Sequence, residues 1–262
     1  MPTLAELRHE RIRLCRLSAD RALASVDEAE EFLRDRRLLT LVADSALPSL
    51  FGATHEEPYA PGKAGFGSWP RTKWRWGGEL AGRPGVLTPK IHHGKVLFLS
   101  REAAALVDPL CRESLDLAAD GQLGPEGAAI VRHLSLAGPT SLDDLKAELG
   151  LDAKVLRSAR EKLERSGAVV AREALVPVGI EPAHRHSSTL ARWDQAWTQR
   201  RKVSPSAALD DLVVLGVRAA VVTHQEEIKQ WFSWPVTTSS MDRLVQSGRL
   251  SRPGPGWVSA PQ

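Results

Sequence analysis

LERSGAV (163–169) and LVQSGRL (244–250) share the form Leu-x-x-Ser-Gly-x-aliphatic. In each, helical spacing of apolar residues runs into a glycine. Glycine takes up the left-handed conformation that closes a helix, and the aliphatic residue after it opens an extended run. The pair predicts two copies of one unit, with a helix stopped at Gly167 or Gly248 and a strand following it.

Outward from the first copy, Asp152 is placed to cap a helix over 153–166 with the apolar stripe Val155, Leu156, Ala159 and Leu163. That stripe turns Lys154, Arg157, Ser158 and Arg165 away from the core. Upstream, SLDDLKAELG (141–150) reads as a short helix closed by Gly150, and 125–137 as a longer apolar helix ending at Gly138. Downstream, AVVAREALVPVG (168–179) reads as two strand-like runs broken at Arg172 and Glu173, a β-hairpin. Helix, short helix, helix and hairpin is the order of a winged helix-turn-helix, predicted here over 122–181. The second copy repeats it over 187–262. An apolar helix at 207–222 precedes HQEEIKQWFSW (224–234), then TTSSMDRLVQSG (237–248) as the third helix. RLSRPGPGWVSA (249–260) forms the hairpin, with its turn within 252–256. GIEPAHRHSST (179–189) reads as a polar linker, leading to a helix that contains Trp193 and Trp197.

The first 121 residues are less regular. Helical patterns cover 4–17 and 27–37, LLTLVADSALPSL (38–50) breaks at Pro48, and KIHHGKVLFLS (90–100) reads as strand. Between them, 54–89 is rich in Gly, Pro and Trp without periodicity, which predicts a long irregular surface segment. The expected fold class is mainly α with small β-wings (α+β), built of tandem winged helix-turn-helix units.

The bulk numbers fit this picture without demanding it. A chain of 262 residues holds two or three small modules. A net charge of +3 with a pI near 9.0 permits nucleic-acid binding, provided the basic surface is local. Two cysteines, Cys15 and Cys111, build neither a disulfide framework nor a four-cysteine zinc site, which suits a reducing compartment. No signal peptide or run of about 20 apolar residues is present, so a cytoplasmic, nucleoid-associated protein is expected. The Ala, Arg and Gly usage suits a high-GC bacterium. His92-His93 and His184-x-His186 lack Cys or acidic companions at ligand spacing, so no metal and no cofactor is expected.

In a winged helix the third helix enters the major groove and the wing touches backbone or minor groove. That nominates Lys154, Arg157 and Arg165 on the first unit, and Thr238, Ser239, Arg243 and Gln246 with wing residues Arg249 and Arg252 on the second. The plainer account is a solvated face, or a module for protein partners, to which Asp143, Asp144 and Glu148 would contribute. In WPRTKWRWGGEL (69–80), Trp74 and Trp76 alternate with Lys73 and Arg75, a pattern that stacks bases and holds phosphates. The competing and favoured account has the tryptophans pinning a long loop to the core.

SVDEAEEFLRDRRLL (25–39), LPSLFGAT (47–54), WRWGGEL (74–80), HHGKVLFLS (92–100) and the two repeated units together resemble the AlkZ/YcaQ superfamily of winged-helix DNA glycosylases, in particular its shorter AlkZ-related group. The resemblance covers most of the chain through individually loose motifs. It implies three tandem winged helices on double-stranded DNA, with 1–121 as a divergent first one carrying a long irregular insertion. It also implies hydrolysis of the N-glycosidic bond of a modified base. The family's catalytic signature is Gln-x-Gln or Gln-x-Asp, and its counterpart here is Val42-Ala43-Asp44. Asp44 then takes the Asp position and Val42 replaces the glutamine. Excision needs a group that orients or deprotonates water and steadies a sugar cation, work that one carboxylate can do. An Asp followed by Ser is also a common cap or turn residue. A DNA binder or regulator that has lost the chemistry is the alternative reading, and a protein-interaction scaffold the third.

Overall fold

The computed structural model describes residues 2–178 and 183–261. The chain is mainly helical with small antiparallel sheets, as its class predicts. Its first part contains α1 (Leu4–Leu14), α2 (Val26–Arg36), β1 (Leu38–Thr40), α3 (Trp76–Ala81) and β2 (Leu97–Leu99). β1 and β2 pair antiparallel, Leu38 opposite Leu99 and Thr40 opposite Leu97. A long helix, α4 (Arg101–Ala119), follows. The middle part contains α5 (Pro125–Ala137), β3 (Thr140–Ser141), α6 (Leu142–Leu149), α7 (Ala153–Ser166), β4 (Val169–Val178) and β5 (Ala183–Arg192). After the single-turn α8 (Trp193–Ala196), the last part contains α9 (Pro205–Ala220), β6 (Val222–His224), α10 (Gln225–Ile228), α11 (Thr238–Gln246), β7 (Ser251–Gly254) and β8 (Trp257–Ser259).

The middle and last parts repeat one order: helix, strand, helix, helix, strand, strand. Their sheets repeat one topology too, β3-β5-β4 and β6-β8-β7, with the last strand in the centre. Local chemistry sets the ends. Ser100, Ser141, Asp152, Ser204 and Thr237 each accept an N–H of the first turn of α4, α6, α7, α9 and α11. Gly150 and Gly167 close α6 and α7 in the left-handed conformation. Gly248 follows α11 with φ +71°.

Several local expectations are corrected. AVVAREALVPVG is no hairpin but one strand, β4, whose partner β5 comes from the stretch read as linker; of that stretch, 179–182 lie outside the described residues. Arg172 and Glu173 do not break the strand because an antiparallel sheet can face water on one side; Arg172 is exposed opposite Thr189. The tryptophan helix shrinks to α8, because β5 continues to Arg192. In KIHHGKVLFLS only Leu97–Leu99 is strand. Within 54–89 the backbone makes a short 3₁₀ turn at Gly65–Ser68 and then α3. On α7, Leu156, Ala159 and Leu163 are buried, but Val155 lies at the edge of the stripe and stays 39% exposed.

The first part has a core of its own, the first core, built around Phe32, Leu39, Leu50, Phe51 and Phe98, and further cores join the parts. One cluster joins Leu38, Leu97 and Leu99 of the first sheet, Val107 and Cys111 of α4, and Leu212, Val217, Trp231 and Leu244 of the last part. α4 is the shared spine, and its far end contributes Leu115 and Ala118 to the core of the middle part. The buried Asp108 carboxylate on α4 accepts from Arg112 Nε, Trp193 Nε1 and the Arg201 amide at 2.8–3.0 Å. α1 packs on the last part through Leu7 and Cys15 against Val221 and Val222. Its Arg11 guanidinium donates to the carbonyls of Ala220, at 2.8 Å, and Ala46, at 2.7 Å. Cys15 and Cys111 are buried free thiols. No helix among the described residues is long and apolar enough to cross a membrane.

Candidate active site and nucleic-acid interface

β1 ends at Thr40, whose buried hydroxyl donates to Val42 O at 2.8 Å while its amide donates to Pro48 O. This bends the chain, Val42 packing against the first core while the Asp44 carboxylate reaches His92 and Lys95. Asp44 meets a second turn. His92 N and Lys95 N donate to each other's carbonyls, and His93 (φ +50°) and Gly94 (φ +86°) occupy the two left-handed positions between them. That is the tight hairpin turn favoured by x-Gly pairs. Its flanking residues face each other across the hairpin, so His92 and Lys95 reach Asp44 together. His92 Nε2 lies 3.0 Å from Oδ1 and Lys95 Nζ 2.6 Å from Oδ2.

His92 is buried, and its Nδ1 is 2.6 Å from Trp231 O. A carbonyl only accepts, so Nδ1 carries a hydrogen. Nε2 then faces the carboxylate oxygen within hydrogen-bonding distance. Burial alone would raise the Asp44 pKa, but hydrogen bonds from Lys95 and His92 outweigh it and hold the carboxyl below its ordinary value. For His93 the shift is downward, from burial first and then from the charges of His92 and Arg165.

The turn is clamped on both sides. Lys90 Nζ is 3.1 Å from the buried Glu164 of α7, and Ile91 O accepts from Ser233 N and Oγ. Asp44 therefore sits where all three parts of the molecule meet. Spacing had offered His92 only as half of a metal site, and Lys95 was missed. The signal was the His-Gly pair of HHGK, which marks a turn with His92 and Lys95 as its flanks. Among the described residues no three metal-ligating side chains converge, and the side chains of His184 and His186 lie outside them.

Beyond this junction, α7 presents Lys154, Arg157 and Arg165 to solvent, with Lys162 beside them. None of the four makes a side-chain hydrogen bond or ion pair with another described residue. Glu161 shares the exposed face without pairing to them. The last part differs. Thr238, Ser239 and Gln246 are exposed, but Arg243 is held by Asp210 at 2.8 Å, Arg252 by Asp242 at 2.6 Å, and Arg249 by Asp211. The three nominated arginines are thus each neutralised by a carboxylate.

The Trp-rich segment splits. Trp69 and Trp76 pack against the first core. Lys73 joins them, its Nζ donating to Leu23 O at 3.3 Å and lying 5.3 Å from the Trp76 ring centre. Glu56 accepts the amides of Thr72 and Lys73 and so fixes the backbone. Trp74 and Arg75 instead face outward, the guanidinium 5.8 Å from the indole centre.

No family model and no curated protein matches the sequence. A search of solved structures matches the DNA glycosylase AlkZ of Streptomyces sahachiroi, at 10% identity and a TM-score of 0.57, over 95% of this chain and 67% of that one. The likeness is one of fold.

Proposed function

We propose that this protein grips duplex DNA with the exposed cationic face of α7 and carries, at Asp44, the group that hydrolyses the N-glycosidic bond of a modified base. One observation carries the reading: the turn that presents His92 and Lys95 to Asp44 is bonded through Lys90 to Glu164 of α7. The carboxylate and the free cations thus belong to one clamped assembly. The fold shared with a DNA glycosylase supports it. In this reading the repeated units, 122–181 and 187–262, are winged helices, 1–121 is a divergent third, and α7 is a major-groove helix.

The site's electrostatics define the chemistry. With its pKa lowered, Asp44 is a weak base, better suited to holding negative charge beside a cationic sugar and orienting water than to removing a proton early. Lys95 is 59% exposed and is free to exchange Asp44 for a DNA phosphate, which releases Oδ2 toward the substrate. His92 is buried and stays on Oδ1, fixing the carboxylate's orientation. Water adds its hydroxyl to C1′ and its proton to the departing base; the target nucleotide must first leave the stack. No metal or organic cofactor enters this scheme.

A second reading, DNA binding without excision, is favoured by Val42. It supplies no polar group for water, and its side chain is taken up by the first core. Duplex binding across a salt series, followed by hot alkali to reveal abasic sites, separates the two. Breaks confined to alkylated duplex and lost in Asp44→Asn establish excision. Salt-steep binding without breaks favours the second reading. Binding that ignores salt removes both, because phosphate contacts release counterions.

A further inference from the structure

We infer that Tyr59, Phe66 and Trp74 form a platform on which unpaired bases of single-stranded DNA stack, separate from the duplex-binding face of α7. The three side chains are among the most exposed large apolar groups described, at 56, 46 and 38%. They are contiguous: Phe66 lies 5.2 Å from Tyr59 and 5.7 Å from Trp74, ring centre to ring centre. Inward, Phe66 meets Trp69 at 5.1 Å and Trp69 meets the buried Phe51 at 5.5 Å, so the exposed rings stand on a column rooted in the first core.

The backbone beneath is braced. Tyr59 N donates to Trp69 O, Ala60 N to Gly67 O and Arg71 N to Glu57 O. A braced platform loses little conformational freedom on binding. Its own charges are cationic: between 58 and 78 the sequence holds Lys63, Arg71, Lys73 and Arg75, with the acidic Glu56, Glu57 and Glu79 at the borders of the segment. Lys73 is used internally, whereas Lys63, Arg71 and Arg75 are exposed without an ion pair among the described residues. Beside Tyr59 a cleft of about 530 Å³ opens, lined by Glu57, Pro58, Pro61 and Arg71. Exposed aromatic rings on a segment that also carries unpaired cations match a chain with free aromatic faces and a phosphate backbone. A duplex does not fit, since its bases are stacked on one another. The inference takes from the proposed function only that the ligand is DNA.

The test uses the full chain and a labelled 15-nucleotide oligothymidylate beside a duplex of equal length, read by fluorescence anisotropy at low salt. Trp74→Ala and Tyr59→Ala are expected to weaken oligothymidylate binding about tenfold each. Both should leave duplex affinity and the thermal melt unchanged, and Tyr59→Phe should retain binding. Arg157→Ala is expected to do the reverse, weakening duplex binding alone. Absence of oligothymidylate binding, or binding indifferent to both alanine variants, overturns the inference while duplex binding and excision stand apart from it. A loss shared equally by the duplex, or transferred to phosphatidylserine vesicles instead of oligothymidylate, overturns it as well. Oligothymidylate binding without any duplex binding would leave the platform standing and remove the proposed function.

Discussion

Asp44 accepts hydrogen bonds from two groups that one tight turn delivers, and this determines how it responds to substitution and to pH. Asp44→Asn is expected to abolish base release while leaving duplex affinity within about twofold, because the change adds no bulk and α7 is untouched. The pH dependence has a definite sign. A carboxyl with a folded pKa below its unfolded one stabilises the protein above the unfolded value, near 4, and loses that contribution as pH falls through the folded value. The gap in melting temperature between the protein and Asp44→Asn should therefore narrow as pH is lowered from 7 toward 3. A gap that stays constant would mean the carboxylate is not held by His92 and Lys95 in solution. At the same scale, the two Ser-Gly motifs that reveal the repeat are not equivalent. A Cβ on Gly167 would lie 2.7 Å from Cys111 Sγ, in a backbone with φ +83°. One on Gly248, at φ +71°, would meet nothing within 4 Å. Gly167→Ala should cost about 2–4 kcal/mol from conformational strain and overpacking together. Gly248→Ala should cost about 1–2 kcal/mol from the strain alone, both read as shifts in urea midpoint.

Two helices of the same rank in the repeat carry opposite electrostatic states. On α7 the outward cations Lys154, Arg157, Lys162 and Arg165 have no ion pair among the described residues, and only Arg160 is engaged, by the buried Glu164, whereas Arg243 on α11 and Arg249 and Arg252 near it are engaged by Asp210, Asp211 and Asp242. To reach a phosphate, each of the latter must give up a carboxylate, which offsets most of what the new contact contributes. Lys154→Ala and Arg157→Ala should each lower the slope of log affinity against log salt by about 1. Arg249→Ala should change it by clearly less. Equal slopes from both helices would show that the acidic partners let go on DNA. Sequence spacing placed all these cations on outward faces. It was silent on their partners, because Asp210 and Asp211 lie on α9, more than thirty positions from Arg243 and Arg249.

Taken whole, the molecule is organised around α4, which adds side chains to the cores on either side of it. The Asp108 carboxylate knits α4 to α8 and to Arg201, and removing it leaves buried donors without an acceptor. Asp108→Ala should cost about 3–5 kcal/mol. Because one core joins the first and last parts and α4 links it to the core of the middle part, the loss should appear as one cooperative transition at lower denaturant, coincident by tryptophan fluorescence and circular dichroism. Separate transitions would show that the parts fold independently.

What the sequence determined by itself was local. Asp152 and Gly167 bracket α7 at its observed ends because caps act within a turn of themselves. Pro125 and Gly138 do the same for α5. The repeated order of helices was legible for the same reason, whereas the strands β3 and β6 between them were not. Tertiary structure decided what depends on distant partners. It made 183–189, within the stretch expected as a linker, part of a strand paired with β4, since pairing joins residues that need share no local pattern. It packed α1 against the last part of the chain. It gave Asp44 its two hydrogen-bonding neighbours, because the turn at His93-Gly94 lies about fifty residues further along and only the packed core brings the two turns together.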